Sequence, residues 1–186
     1  MRAFVAIELP DHLRSALARE QARLRALCPL NRDIRWTACD SMHLTLKFLG
    51  KIALDRVPAV IAALQSINLV AALEVEVRGF GFFPDARRPQ VFWAGLEAPP
   101  LLGDLAQRID AAIVKLGFPA ESRPFGPHLT LARFRTPRAD PALLKGIENA
   151  QSVSVGHFKV DEFFLFESRL LPGGAEHTKV ARFRLR

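Results

Sequence analysis

Short runs of alternating apolar and polar residues take turns along this chain with longer stretches of helical period, which predicts strands interleaved with amphipathic helices. Arg2 to Leu9 reads as a strand, and Pro10–Asp11 opens a helix to about Cys28 with Leu13, Leu17, Leu24 and Leu27 on one face. Strands follow at Ile34 to Ala38 and at His43 to Leu49, where Gly50 ends the second, and then a helix from about Asp55 to Ile67. The order then recurs. Leu73, Val75 and Val77 mark a strand, Pro84 to Pro89 a loop, and Val91 to Leu96 a strand; a helix from about Pro100 to Leu116 has Leu101, Leu105, Ile109, Ala112 and Leu116 as its apolar face. A strand at His128 to Arg135, a short helix near Pro141 to Ala150, and strands around Phe158 to Phe166 and Lys179 to Leu185 complete the chain. The expectation is an α+β fold with mainly antiparallel strands.

The recurrence extends to residues. His43-Leu44-Thr45-Leu46 and His128-Leu129-Thr130-Leu131 are the same tetrapeptide, 85 positions apart, nearly half of the 186-residue chain. A repeat at that interval, within a matching order of elements, predicts a single bilobal domain over 1–186 with two pseudo-symmetric lobes. The two sheets, flanked by helices, would enclose a central cleft. Side chains alternate across a strand, so His43 and Thr45 share one face while Leu44, Leu46 and Phe48 point to the core; His128 and Thr130 repeat the arrangement. Each strand then presents an imidazole that moves protons near neutrality beside a hydroxyl that donates a hydrogen bond to a phosphoryl oxygen.

Composition narrows the partner. The formal net charge is +7, which favours a polyanion such as nucleic acid, although 20 of the 26 basic residues are Arg and that excess also fits a compositional bias. With 49% hydrophobic residues and no low-complexity run, the chain buries a core and carries no disordered tail. Cys28 and Cys39 form no CxxC pair and fit free thiols in a reducing compartment. Glu8 and Pro10 interrupt the apolar opening, and no run reaches membrane-spanning length, so the expected location is cytoplasmic, with no membrane association.

Opening a cyclic phosphate in line needs a base for the attacking water and an acid for the departing ribose oxygen, and two histidines supply both. No metal or other cofactor is expected, because no third and fourth ligand lie at close spacing. Lys47 shares the parity of His43 and Thr45, while simple alternation puts Arg133 opposite His128 unless the strand bulges. Trp36, Phe82, Phe83 and Phe125 are candidate base-stacking surfaces; Phe125, beside Gly126 and Pro127, is the preferred one, making Lys47, Phe125 and Arg133 the candidate substrate contacts.

At these residues the chain resembles the two-histidine phosphoesterase superfamily and its RNA 2′,3′-cyclic phosphodiesterase branch, historically called 2′-5′ RNA ligase. The resemblance runs through RAFVAIELP, MHLTLKFLG, GFGFFPDARRPQVFWAGL, GPHLTLARF and LFESRLLPGGAEHTKVARF. It implies a basic central cleft, hydrolysis of an RNA or nucleotide 2′,3′-cyclic phosphate to a 2′-phosphomonoester, and weak reverse ligation. It also implies roles: His43 as proton donor to the leaving oxygen, His128 as the base, Thr45 and Thr130 as holders of the non-bridging oxygens. No obligate protein partner is implied. His177 stands where that family often has Tyr; it is given no chemistry, and His12 and His157 are read as surface or structural residues. Two competing readings are a non-catalytic RNA- or nucleotide-binding module and a phosphodiesterase for another cyclic nucleotide or an ADP-ribose cyclic phosphate.

Overall fold

The computed structural model describes residues 1–67, 72–150, 153–171 and 174–185. In chain order its elements are β1 (Arg2–Glu8), α1 (Asp11–Ala26), β2 (Ile34–Trp36), β3 (His43–Lys51), α2 (Val57–Gln65), β4 (Leu73–Phe83), β5 (Val91–Glu97), α3 (Pro100–Val114), β6 (His128–Phe134), α4 (Pro141–Glu148), β7 (Ser154–Val160), β8 (Glu162–Leu171) and β9 (Gly174–Arg184). The strands form two sheets, ordered β3-β1-β8-β9 and β2-β6-β5-β4-β7, with antiparallel pairing throughout. In each sheet the motif strand pairs with the strand one helix earlier: β3 with β1 across α1, and β6 with β5 across α3. The motif strands β3 and β6 come together where the two sheets meet.

Helices α1 and α3 cross over between the halves. Helix α1 packs on β7 and α4, whereas α3 packs on β3 and α2, so each helix covers the sheet that holds the other half's motif. Leu13, Leu17 and Leu24 are the buried face of α1; Leu27 lies beyond its end and is partly exposed. The face of α3 is set one residue from the expected one: Leu102, Leu105, Ala106, Ile109 and Ile113 are buried at helical spacing, and Leu101 is 39% exposed.

One predicted strand is two. The run from Phe158 to Phe166 breaks at Asp161, sending β7 to pair with β4 in one sheet and β8 to pair with β1 in the other. The pattern changes at the break, because Phe158 and Val160 alternate inward, while Phe163 to Phe166 are all buried as the inside of a strand covered on both faces. The last strand also begins earlier than expected, at Gly174, and residues 172–173 lie outside the described residues.

Candidate active site

Both motif strands carry the same irregularity at the same place. On β3, Thr45 pairs with Ala6 and Lys47 with Val5, so Leu46 and Lys47 together oppose one residue. On β6, Thr130 pairs with Trp93 and Ala132 with Phe92, so Leu131 and Ala132 do the same. Such a β-bulge inserts one residue and reverses the facing of everything after it. Leu46 and Lys47 are therefore both buried, as are Leu131 and Ala132, and the next residues, Phe48 and Arg133, return to the face of the histidine and threonine.

This reversal corrects two expectations. Lys47 is not on the His43 face: it is 3% exposed, and its ammonium donates to Asp110 Oδ1 at 2.5 Å and to the Pro119 carbonyl at 2.7 Å, with Glu121 at 3.4 Å. Its role is to fasten α3 to the β3 bulge. Phe48, read as core, is 64% exposed instead, with its ring 6.2 Å from that of Phe4. The bulge likewise supplies the condition under which Arg133 reaches the His128 face. On the β6 side α1 provides the fastening, because Gln21 Nε2 donates to the Leu131 carbonyl at 3.0 Å and to the Thr37 carbonyl at 2.8 Å.

The two imidazoles are anchored alike. His43 Nδ1 lies 2.8 Å from the Ser41 carbonyl and His128 Nδ1 lies 2.8 Å from the Gly126 carbonyl, in each case two residues earlier. An Nδ1–H donated to a carbonyl leaves Nε2 as the nitrogen available to a substrate.

Their surroundings differ. His43 stacks on Phe4 at 4.5 Å, with Phe166 at 6.4 Å and His177 edge-on at 5.1 Å. Burial there, followed by repulsion from His177 and opposed by the Ser41 carbonyl, lowers the His43 pKa to about 4. The His177 pKa is lowered too, by burial, and its Nδ1 is buried without a hydrogen-bond partner among the described residues. His128 meets a more open wall, with the Phe83 ring edge-on at 4.9 Å and partly exposed. Behind Phe83 stands Trp93, whose indole covers Gly81; a Cβ added at Gly81 would lie 2.3 Å from that ring.

A cavity of about 400 Å³ opens beside His43, bordered by Phe166, His177 and Thr178, with Glu8, Arg14 and Lys179 at its charged margin. Lys179 and Arg14 both pair with Glu8, at 2.6 and 3.7 Å. The sequence gives His177 no chemistry and marks it only as standing where the family often has Tyr; the structure sets it edge-on to the His43 ring. Phe125, Trp36 and Phe82 pack against the core and are not among the groups gathered around the histidines. Among the described residues no three His, Cys, Asp or Glu side chains converge as a metal site requires.

The model of the LigT-like phosphoesterases matches this chain twice in succession, over residues 7–93 and 96–176. The chain belongs to the LigT-like phosphoesterase family. An RNA 2′,3′-cyclic phosphodiesterase of Methanothermobacter thermautotrophicus is 34% identical, the match covering 100% of this chain and 99% of that protein. One from Thermus thermophilus is 32% identical over 100% of this chain and 91% of its own length. A crystal structure of a protein from the same Thermus species superposes with a TM-score of 0.82 at 32% identity, covering 100% of this chain and 98% of the other. Escherichia coli LigT, crystallised with 3′-AMP, gives 0.80 at 26% identity over 99% and 97%. Both solved structures match the α+β architecture of two antiparallel sheets described above.

Proposed function

We propose that this LigT-like phosphoesterase hydrolyses 2′,3′-cyclic phosphates at RNA ends to 2′-phosphomonoesters, with His43 and His128 facing one cleft of a single bilobal domain as its acid–base pair. The observation that carries the reading is the double presentation: two strands with the same bulge, each offering a carbonyl-anchored imidazole beside a threonine hydroxyl. The family's named RNA 2′,3′-cyclic phosphodiesterases support the substrate.

In the reaction, His128 Nε2 takes a proton from water as the water oxygen bonds to phosphorus. The bond from phosphorus to the ribose 3′ oxygen breaks on the opposite side, and His43 gives that oxygen its proton. Thr45 and Thr130 donate to the non-bridging oxygens, where charge is held through the displacement. In the free protein His43 is neutral because burial disfavours its charged form. An anionic phosphate beside it has the opposite effect, so the acid acquires its proton as substrate enters. Weak 2′-5′ ligation follows from the same groups acting in the same direction, with an RNA 5′-hydroxyl in place of water: His128 takes its proton, its oxygen bonds to phosphorus, and His43 protonates the departing 3′ oxygen. Each proton transfer contributes about 10²–10⁴-fold, and the scheme calls on no metal.

An oligonucleotide ending in a 2′,3′-cyclic phosphate tests this directly. Release of a 2′-phosphate, undiminished after exhaustive chelation, is the expected result. Binding without turnover would mean a nucleotide-binding module instead, and turnover confined to a different cyclic nucleotide or an ADP-ribose cyclic phosphate would move the substrate class.

A further inference from the structure

Helix α1 carries a polar side chain in its apolar stripe. Gln21 follows Leu17 by four residues and precedes Leu24 by three, so it points with those buried leucines toward the rest of the fold. An amide in such a place is kept by the hydrogen bonds it makes. Both N–H bonds of Gln21 Nε2 are engaged, with the Thr37 carbonyl at 2.8 Å and the Leu131 carbonyl at 3.0 Å, and Cys39 Sγ lies 3.8 Å from Oε1. The Leu131 carbonyl also accepts from the Thr37 amide at 2.8 Å, so Gln21, Thr37 and the β6 bulge form one junction.

The junction lies where the chain changes sheets. Thr37 follows β2, in the sheet that holds β6, and six residues later His43 opens β3 in the other sheet. The turn Cys39–Ser41 lies between them. It supplies the Ser41 carbonyl that anchors His43 Nδ1, while Ser41 Oγ donates to the Ala175 carbonyl on β9 at 3.2 Å. Leu131, for its part, stands three residues after His128. Gln21 therefore joins the strand of one histidine to the crossing segment that carries the other. The second half holds a counterpart, because Lys47, four residues after His43, binds the Pro119 carbonyl and Asp110, whose Oδ1 also accepts from the Glu121 amide at 3.2 Å. That segment runs on to the Gly126 carbonyl that anchors His128. In both halves the bulged strand of one imidazole is tied to the chain that anchors the other.

We propose that Gln21 is a positioning residue for the reaction, setting the separation of His43 and His128 so that acid and base meet the same phosphorus. The inference rests on the catalytic reading above for the roles of the two histidines. A bound cyclic phosphate can settle against either wall of the cleft, whereas the in-line displacement needs both walls at once. An error in their spacing is therefore felt in the transition state more than in the ground state.

The experiment compares the full chain with Gln21→Met, which keeps the length and removes the donors, and with Gln21→Lys, which returns N–H donors to the same two carbonyls. Hydrolysis of an oligonucleotide ending in a 2′,3′-cyclic phosphate is followed in each, at a temperature where all three are shown to be folded, and the imidazole signals are recorded by NMR. Gln21→Met is expected to lower kcat by about 10–100-fold while KM stays within about twofold, since a misplacement of about 1 Å costs rate on that scale. Gln21→Lys should restore most of kcat. The His43 and His128 signals should move in Gln21→Met and those of His12 and His157 should not. An unchanged kcat in Gln21→Met, a loss carried by KM, or a loss that Gln21→Lys does not restore overturns the positioning role. If the wild-type protein hydrolyses nothing, the catalytic reading falls by itself, and the signals alone decide: moved for His43 and His128 they leave Gln21 as the residue that sets their spacing, and unmoved they overturn that too.

Discussion

The burial of His43 makes a measurable demand on the folded state. Its pKa is lowered from 6.5 to about 4, so between those two values the unfolded chain holds a proton there that the folded chain refuses. Stability contributed by the neutral ring is complete above pH 6.5 and is lost as pH falls toward 4, below which both states are protonated and the loss stops growing. At ~1.36 kcal/mol per pH unit, the whole difference is worth up to about 3 kcal/mol, most of it gone by pH 4.5. The perturbation is His43→Gln, which removes the titration and keeps a polar side chain against Phe4. Carboxylates titrate in the same window, and His177 adds a dependence of the same sign, but both remain in the variant and cancel in a comparison of slopes. Urea unfolding of the two proteins from pH 8 to pH 4.5 should therefore give curves that converge as pH falls, the variant gaining about 2–3 kcal/mol relative to wild type. Parallel curves would mean that His43 is as well solvated in the fold as in the unfolded chain, and the argument that it takes up its proton with the substrate would go with them.

Replacing His43 or His128 with Ala should each lower kcat by roughly 10²–10⁴-fold, with the double variant little worse than either single one because the two transfers act in one displacement; near wild-type turnover in either single variant contradicts the pair. Asp110→Ala, which strips the buried Lys47 ammonium of its nearest carboxylate, should cost about 2–4 kcal/mol in denaturant unfolding, and Lys47→Met should cost less than half of that; the reverse ranking would refute the fastening role. Gly81→Val, placing a side chain where the Trp93 indole lies, should destabilise by about 1–3 kcal/mol and shift the tryptophan emission, and an unchanged spectrum and stability would show that the indole has room to move.

What was legible in the sequence follows from which physics is local. Period-two alternation placed His43 beside Thr45 and His128 beside Thr130, and periodicity together with Gly and Pro placed nearly every element. The same alternation misplaced Lys47 and Phe48, because a bulge is an exception to the rule being used. On β6 the adjacent apolar pair Leu131–Ala132 hinted at it; on β3 a lysine in the inserted place hid it, since its buried partners come from α3 and the loop after it, more than sixty residues away. The lowered His43 pKa was equally out of reach. It depends on Phe4, Phe166 and His177, which meet only when β1, β8 and β9 are assembled beside β3.

The paired bulges behave like dislocations in a crystal row: one extra member is let in, and everything downstream is displaced by half a repeat. Straightening the strand with all its residues kept would turn Lys47 or Ala132 toward the histidine face and Phe48 or Arg133 into the interior, whereas deleting Leu46 or Leu131 would heal the row and leave those facings as they are. The portable unit is thus neither the tetrapeptide nor its two polar members but a six-residue segment, His43 to Phe48 or His128 to Arg133, that carries its own defect. A transplant of this chemistry into another sheet would need the defect copied along with the histidine, and a neighbouring helix able to hold it open.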